Sequence, residues 1–354
     1  MSHDRKQSGF KQRTRVEEAL AALRDAVDPH GRVEHVSLYE ADERTLAATL
    51  SAPASVPSAP EAAMDGFAVR ASDTFGSSGR SPELLRAVDA DPTEGEVGPG
   101  EALRVHTGSA LPAGADAVVM VEETETISGD VEIFDAVAEG ENVAPAGEDV
   151  EEGQQLYEPG TVLRPSDLGL LKSVGFTEVP VFEKPEVTVI PTGEELVQED
   201  PGPGETIETN GLTTARFVER WGGEPNELDV VDDDEEELKA AIRSGLDGDL
   251  VVTSGGSSVG QRDLLPEILA EMGEIVVHGV ALKPGHPFGF AVVEGTPVLM
   301  LPGYPVASII NGVQFLRPAV KRAMNAPLPP HPTTEARLRR KIVSEPGIRT
   351  FARV

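Results

Sequence analysis

Cysteine is absent from this chain. That excludes disulfides, thiolate metal sites and cysteine nucleophiles. Positive charge is scarce: 30 basic residues face 61 acidic ones, for a formal net charge of -31. Eight of the basic residues are lysines and the remaining 22 are arginines. Without a basic patch to neutralise phosphates, nucleic acid is a disfavoured partner. Long apolar runs are missing too. No early segment resembles a signal peptide, and none approaches the ~20 apolar residues of a membrane span. The expectation is a soluble cytoplasmic protein without a membrane partner.

The acidic residues are spread through every segment, and the longest run, Asp232–Glu237, opens a predicted helix. An acidic tail for a basic partner fits this distribution poorly. A halophilic acidic surface, solvated in concentrated salt, fits it better. With 354 residues the chain exceeds one ordinary core, so several domains are expected.

A Thr-x-x-Glu capping box at Thr14 precedes helical apolar spacing to Leu23. A second helix is predicted over Leu38–Leu50. The proline-rich SAPASVPSAPEAA that follows is an extended connector. From Met64 to about Val143 short β-like runs alternate with Gly, Pro and Asp, which predicts a β-rich unit. A short helix, LGLLKSVG, comes before a change of texture near Lys184. Strands are then predicted at 187–190, 228–231, 250–253, 275–281, 288–293 and 297–301. Helices are predicted at 210–221, 233–246, 263–272 and 304–325. Alternating β and α implies a doubly wound, mostly parallel sheet with ligands at the C-terminal ends of its strands.

One stretch of this α/β part is made for ligands: DLVVTSGGSSVGQRD, from Asp249 to Asp263. An apolar strand runs into Gly255 and Gly256, where the missing Cβ lets a ligand approach. Ser257, Ser258 and the backbone N–H groups around Gly260 form a concavity for an anion. Asp263 either caps the next helix or holds a divalent cation. Three further loops follow strands: PTGEEL at 191–196, KPGHP at 283–287 and LPGYP at 301–305. On one rim they present carboxylates, hydroxyls and a lysine to an anionic ligand bridged by Mg²⁺.

Eight collinear blocks make the sequence recognisable. They are MDGFAVRASDT at 64–74, HTGSALPAGADAVVMVE at 106–122, NVAPAGEDV at 142–150, PTGEEL at 191–196, TNG at 209–211, TSGGSSVGQRD at 253–263, KPGHPFGF at 283–290 and LPGYPVAS at 301–308. In these the chain resembles the molybdopterin molybdenumtransferase family, the MoeA proteins and the E domain of gephyrin. The resemblance implies an enzyme of molybdenum cofactor synthesis. Its substrates are adenylylated molybdopterin and molybdate (or tungstate), and AMP leaves in a Mg²⁺-dependent step. It also implies a homodimer whose cleft is shared between subunits, and it leaves contact with the molybdopterin adenylyltransferase open. The implied division is a linker-type domain at 1–60 plus 143–183, a β-rich insertion at 61–142, a pterin-binding α/β domain at 184–326, and at 327–354 the start of a C-terminal β domain that is cut short.

Carried over position by position, the resemblance makes Asp65, Asp149, Glu195, Asp263 and Lys283 catalytic. Thr107, Gly255, Gly256, Ser257, Ser258, Gly260, Gly285, His286, Pro302 and Pro305 bind the pterin substrate. Glu195, Asp263 and Asp233 (or its neighbour Asp232) hold the metal. Attack on a phosphoanhydride requires charge neutralisation at its non-bridging oxygens, which a carboxylate-held metal and Lys283 supply. Molybdate is a tetrahedral dianion, and Ser257, Ser258, Lys283 and His286 offer it donors. Plainer roles remain open. Asp65 before Gly66 and Thr107 before Gly108 suit tight turns, Asp149 sits in an acidic surface run, Glu195 suits a first helical turn, and Asp233 suits an N-cap. The chain departs from the family at His286 (usually lysine), Tyr304 (asparagine), Ala307 (serine), Ala144 (arginine) and Ile348 (arginine). These departures keep two alternatives in view, a non-catalytic dimeric scaffold that binds molybdopterin and the adenylyltransferase itself.

Overall fold

A computed structural model describes residues 13–255 and 264–352. Its larger sheet has six strands in the spatial order Glu224–Glu227, Glu186–Thr192, Leu250–Gly255, Thr296–Leu301, Gly289–Val293 and Glu274–His278. The first four run parallel, and the last two are joined by antiparallel pairings. Alternation along the strands divides the core in two. Val187, Val189, Leu250, Val252, Leu299 and Leu301 face one way, with helix Asn210–Arg220 and the 312–324 helical segment packed over them. Ile190, Val251, Val298 and Met300 face the other, under helices Glu235–Ser244 and Leu264–Met272. Burial on both faces explains why these strands read as continuous apolar runs. The chain passes from strand 186–192 outward to 224–227 and then back across to 250–255. The direction of winding therefore reverses between the strands ending at Thr192 and Gly255, the place where doubly wound sheets open a ligand crevice.

The second sheet also has six strands: Ala117–Met120, Gly66–Val69, Glu101–Val105, Glu83–Val88, Asp130–Ile133 and Thr124–Ile127. Only the pair formed by Glu83–Val88 and Glu101–Val105 is parallel. Around it, chain from before the sheet pairs with chain from after it. Val33–Ser37 lies against Glu178–Phe182, Leu50–Ser51 against Gln155–Tyr157, and Glu61–Ala62 against Val143–Ala144.

Several elements differ from the sequence-based expectation. Over 38–50 there is no α-helix, only the 3-10 turn Leu38–Glu40. The backbone there is committed to distant strands: Leu46 N–H donates to Thr161, and Phe182 N–H donates to Thr45. Its apolar residues Leu38, Ala41, Leu46 and Leu50 fill a core all the same. The first helix is Val16–Ala26 and begins after Thr14, whose backbone bonds to Gly279 and Ala281 instead. Glu18, rather than Glu17, accepts from the Arg15 N–H at the helix start. This helix packs on the α/β core through Val16, Ala19 and Leu23. The strand predicted at 228–231 is displaced to Glu224–Glu227, because proline-containing Glu-Pro-Asn-Glu takes the edge position where a missing N–H is tolerated. Val231 keeps a single bridge to Thr192. The long C-terminal helix is two α-helices, Pro305–Asn311 and Arg317–Ala323, joined by a π turn over Gly312–Leu316. Pro318, with no N–H for the carbonyl four residues back, accompanies that irregularity.

Phe288 and Phe315 stack at 3.9 Å between ring centroids and are fully buried, joining the strand layer to the π turn. Phe315→Ala is expected to cost about 3–5 kcal/mol through lost burial and the cavity left behind. Denaturant unfolding of the full chain measures it.

Candidate functional site

The rim at the winding reversal is built from backbone in close approach. Gly255 has φ +119°, and a Cβ there would overlap the Thr192 carbonyl oxygen. Only glycine lets strand 250–255 come this near to strand 186–192. On the other side of Gly255 lies Gly303, where an added Cβ would stand 3.6 Å from the Gly255 Cα. The loop after strand 296–301 therefore reaches the same spot. Asn210 closes the ring by donating from Nδ2 to the Gly303 carbonyl at 2.7 Å. Gly211 approaches Pro191 so closely that a Cβ would meet the proline Cγ at 2.6 Å. The buried carboxylate of Glu208 accepts the Gly211 N–H at 2.6 Å and satisfies a donor at the start of helix 210–220. Two of the predicted loops, 191–196 and 301–305, thus share one rim with the end of strand 250–255 and the TNG block at 209–211.

Glu195 and Asp233 meet at its edge. Glu195 is exposed, with its carboxylate beside Gly193. Asp233 is half-buried, and burial pushes its carboxyl above the ordinary range, helped by the nearby charges of Glu195, Glu194 and Asp232. The N-cap of helix 235–244 is Asp234, whose Oδ1 accepts from Glu236 and Glu237. Asp233 is therefore free of the capping role considered for it. Among the described residues no group of three or more His, Asp or Glu side chains lies close enough together to hold a metal. Gly256, Ser257, Ser258, Gly260 and Asp263 lie outside the described residues.

The loop 283–287 joins the rim indirectly. Asn311, in the helix that follows Pro302 and Pro305, donates from Nδ2 to the Gly285 carbonyl at 3.0 Å. Lys283 points to the C-terminal segment and pairs with Glu345 at 2.9 Å. Leu282–Lys283 also forms a parallel pair with Arg349–Thr350. His286 is half-buried, and burial together with the Arg13 charge lowers its pKa. Both effects disfavour the protonated, cationic imidazole.

Asp65 and Thr107 form a second group, in the inserted sheet. Asp65 Oδ1 accepts the Thr107 N–H at 2.7 Å and its hydroxyl at 2.9 Å. Those two donors hold the exposed Asp65 carboxyl below the usual range, with smaller help from His106 and Arg104. Asp149 is exposed, and its N–H bonds to Val56. A groove of about 440 Å³ lies elsewhere, between helices 16–26 and 317–323, and includes none of the candidate residues. Glu208 and Asn311 were missed from the sequence. Only their neighbourhood was visible, in the TNG block and the helix after LPGYP.

Family models match nearly the whole described chain. Residues 14–175 match the MoeA N-terminal region, described as domains I and II, and residues 188–322 match the probable molybdopterin binding domain. The chain belongs to the MoeA family. A putative molybdopterin biosynthesis protein of Methanocaldococcus jannaschii is 36% identical over 94% of this chain and 83% of its own length. Molybdopterin molybdenumtransferase 2 of Mycobacterium tuberculosis is 34% identical over 90% of the chain and 82% of its own. The crystal structure of the molybdopterin biosynthesis MoeA protein from Pyrococcus horikoshii OT3 superposes with a TM-score of 0.78 at 33% identity. That match covers 89% of this chain and 80% of the archaeal one. The inserted sheet falls within the matched residues 14–175, and the winding reversal falls within the matched residues 188–322.

Two outcomes test this geometry. Gly255→Ala should destabilise the α/β sheet, with a lowered melting temperature, because its Cβ has no room beside Thr192. Thr107→Val removes the hydroxyl donor, so the Asp65 pKa should rise toward the ordinary carboxylate value, as read by NMR titration.

Proposed function

We propose that this MoeA-family chain is a molybdopterin molybdenumtransferase. It binds adenylylated molybdopterin at the winding reversal, inserts molybdate or tungstate into the dithiolene, and releases AMP. The observation that carries the reading is the rim where Thr192, Gly255, Gly303 and Asn210 converge at the crevice of a doubly wound sheet. Relatives that match over most of this chain bear the transferase name.

The backbone at the rim admits the pterin phosphate closely, since no Cβ stands at Gly255 or Gly303. Glu195 and Asp233 present oxygen ligands to Mg²⁺, and a cation there would favour the ionised Asp233 carboxyl, which burial first and then the charges of Glu195, Glu194 and Asp232 disfavour. Mg²⁺ commonly takes one or two carboxylates and completes its shell with waters and substrate phosphates, so this donor pair fits it without a protein cage. Held by Glu195 and Asp233, Mg²⁺ would supply positive charge for the phosphoanhydride oxygens. Lys283 adds a second positive charge once it leaves Glu345. The Asp65–Thr107 pair belongs to a second copy of the chain facing this rim, in a homodimer whose acidic surface is solvated in the salty cytoplasm of a halophile. Its small-molecule substrate is handed on by the adenylyltransferase.

One observation favours a second reading, a dimeric molybdopterin-binding scaffold without turnover. Lys283 is held by Glu345 and His286 is shifted toward neutrality, which leaves the oxyanion fewer cations. The deciding measurement is AMP release from adenylylated molybdopterin by the full chain at high salt. Release that requires both molybdate and Mg²⁺ is expected, whereas binding without release establishes the scaffold. Asp233→Asn should raise the Mg²⁺ concentration needed for half-maximal release by at least about tenfold, since it removes a charged oxygen ligand and even the loss of an outer partner costs that much.

A further inference from the structure

Asn311 is wholly buried, in the short helix that opens after the LPGYP loop. Its Nδ2 donates twice at 3.0 Å, to Gly285 of the KPGHP loop and to Ala307 on its own helix. Its Oδ1 is buried and has no hydrogen-bond partner. A buried unpaired amide carbonyl destabilises a fold by roughly 1–3 kcal/mol. An apolar residue of the same shape avoids that cost, so stability alone does not account for an asparagine here. What the amide does is tie the KPGHP loop to helix 305–311. Gly285, at φ +109°, fits against it with no space for a side chain, since a Cβ would lie 2.5 Å from Nδ2.

We propose that Asn311 is a positioning residue that fixes the 283–287 loop against helix 305–311, and so sets where Lys283 and His286 stand relative to the substrate's anionic groups. The proposal rests on the transferase reading above. Three contacts define the loop it holds. Val280 N–H donates to the His286 carbonyl at 2.9 Å, Phe288 N–H donates to the Gly285 carbonyl at 3.3 Å, and Gly279 N–H donates to Phe288 at 2.9 Å. Once Asn311 lets go, Gly285 loses its bond from the amide and keeps the one from the Phe288 N–H. Asn311 itself, fully covered, does not touch the ligand. Its effect passes through Gly285.

The test is Asn311→Leu in the full chain, with Asn311→Ser as a smaller second variant in case the leucine does not fold. Three quantities are read: melting temperature, amide exchange at residues 280 and 288, and the kinetics of molybdate-dependent AMP release. The melting temperature should stay at or above the unmodified value, because the orphaned carbonyl is gone. Exchange at those two amides should quicken about tenfold, and KM for adenylylated molybdopterin should rise about tenfold while kcat changes much less, the sign of weakened ground-state binding. Unchanged exchange and unchanged KM in a folded variant overturn the proposal. So does a fall in melting temperature with kcat and KM scaling together, which marks a purely structural asparagine. Lack of AMP release by the unmodified chain defeats the transferase reading instead, and the exchange measurement then still decides whether Asn311 holds the loop.

Discussion

The closeness of Thr192 and Gly255 governs the rest of the α/β unit. Where two parallel strands end side by side and the chain departs in opposite directions, no crossover covers the gap between their tips. Gly255 lets the strand ends approach until the Thr192 carbonyl occupies the place of a side chain. That contact leaves space for Gly303 and draws in the loop behind Asn210. The rim is held by backbone approach, the Asn210 amide and the buried Glu208 carboxylate, so its shape owes little to the other side chains around it. Those are then available to change with the ligand. The histidine and tyrosine that replace the family's lysine and asparagine at 286 and 304 sit on that shared framework.

The second organising constraint is electrostatic. In a chain with net charge -31 every added carboxylate raises the cost of the folded state. Where acidic groups approach one another, as Asp233 does Glu195 and Glu194, the proton affinity rises. Where they find donors the repulsion is offset. Asp249 takes two bonds from Arg32 and one from the Glu186 N–H, and Arg32 also reaches Glu183. Asp167 is tied to Arg164 and Tyr157 in the same way. With lysine so scarce, arginine does this work, and its fork matches a carboxylate better than a point charge does.

Much of the α/β unit was legible in the amino-acid order because burial on both faces leaves continuous runs such as Leu250–Thr253, and because helices on either side carry strong periodicity. The Gly-Pro loops were legible for a different reason. Positions 255 and 285 need glycine for close approach, so the residue type itself records the geometry. What was not legible depends on partners distant in sequence. Leu38 to Leu50 has a helical pattern of apolar residues, yet its N–H and C=O groups bond to 160–182, which no local window contains. Glu224–Glu227 lacks an apolar run because it is an edge strand. Asn311 looks like any polar residue in a helix until Gly285 is placed against it. The grouping of Asp65 with Thr107, apart from Glu195 and Asp233, likewise comes from which sheet each belongs to.

The helix Val16–Ala26 lies on the α/β core, although the chain between it and residue 186 builds other sheets. Its neighbours include Phe315, Ala319 and Val320, close to the far end of the described chain. During synthesis on a ribosome this amphipathic segment emerges about 300 residues before residues 315–320, on which it docks. Over that interval the apolar stripe of Val16, Ala19 and Leu23 lacks its native cover. Glu17, Glu18 and Arg24 in the same helix offer charge to the solvent meanwhile.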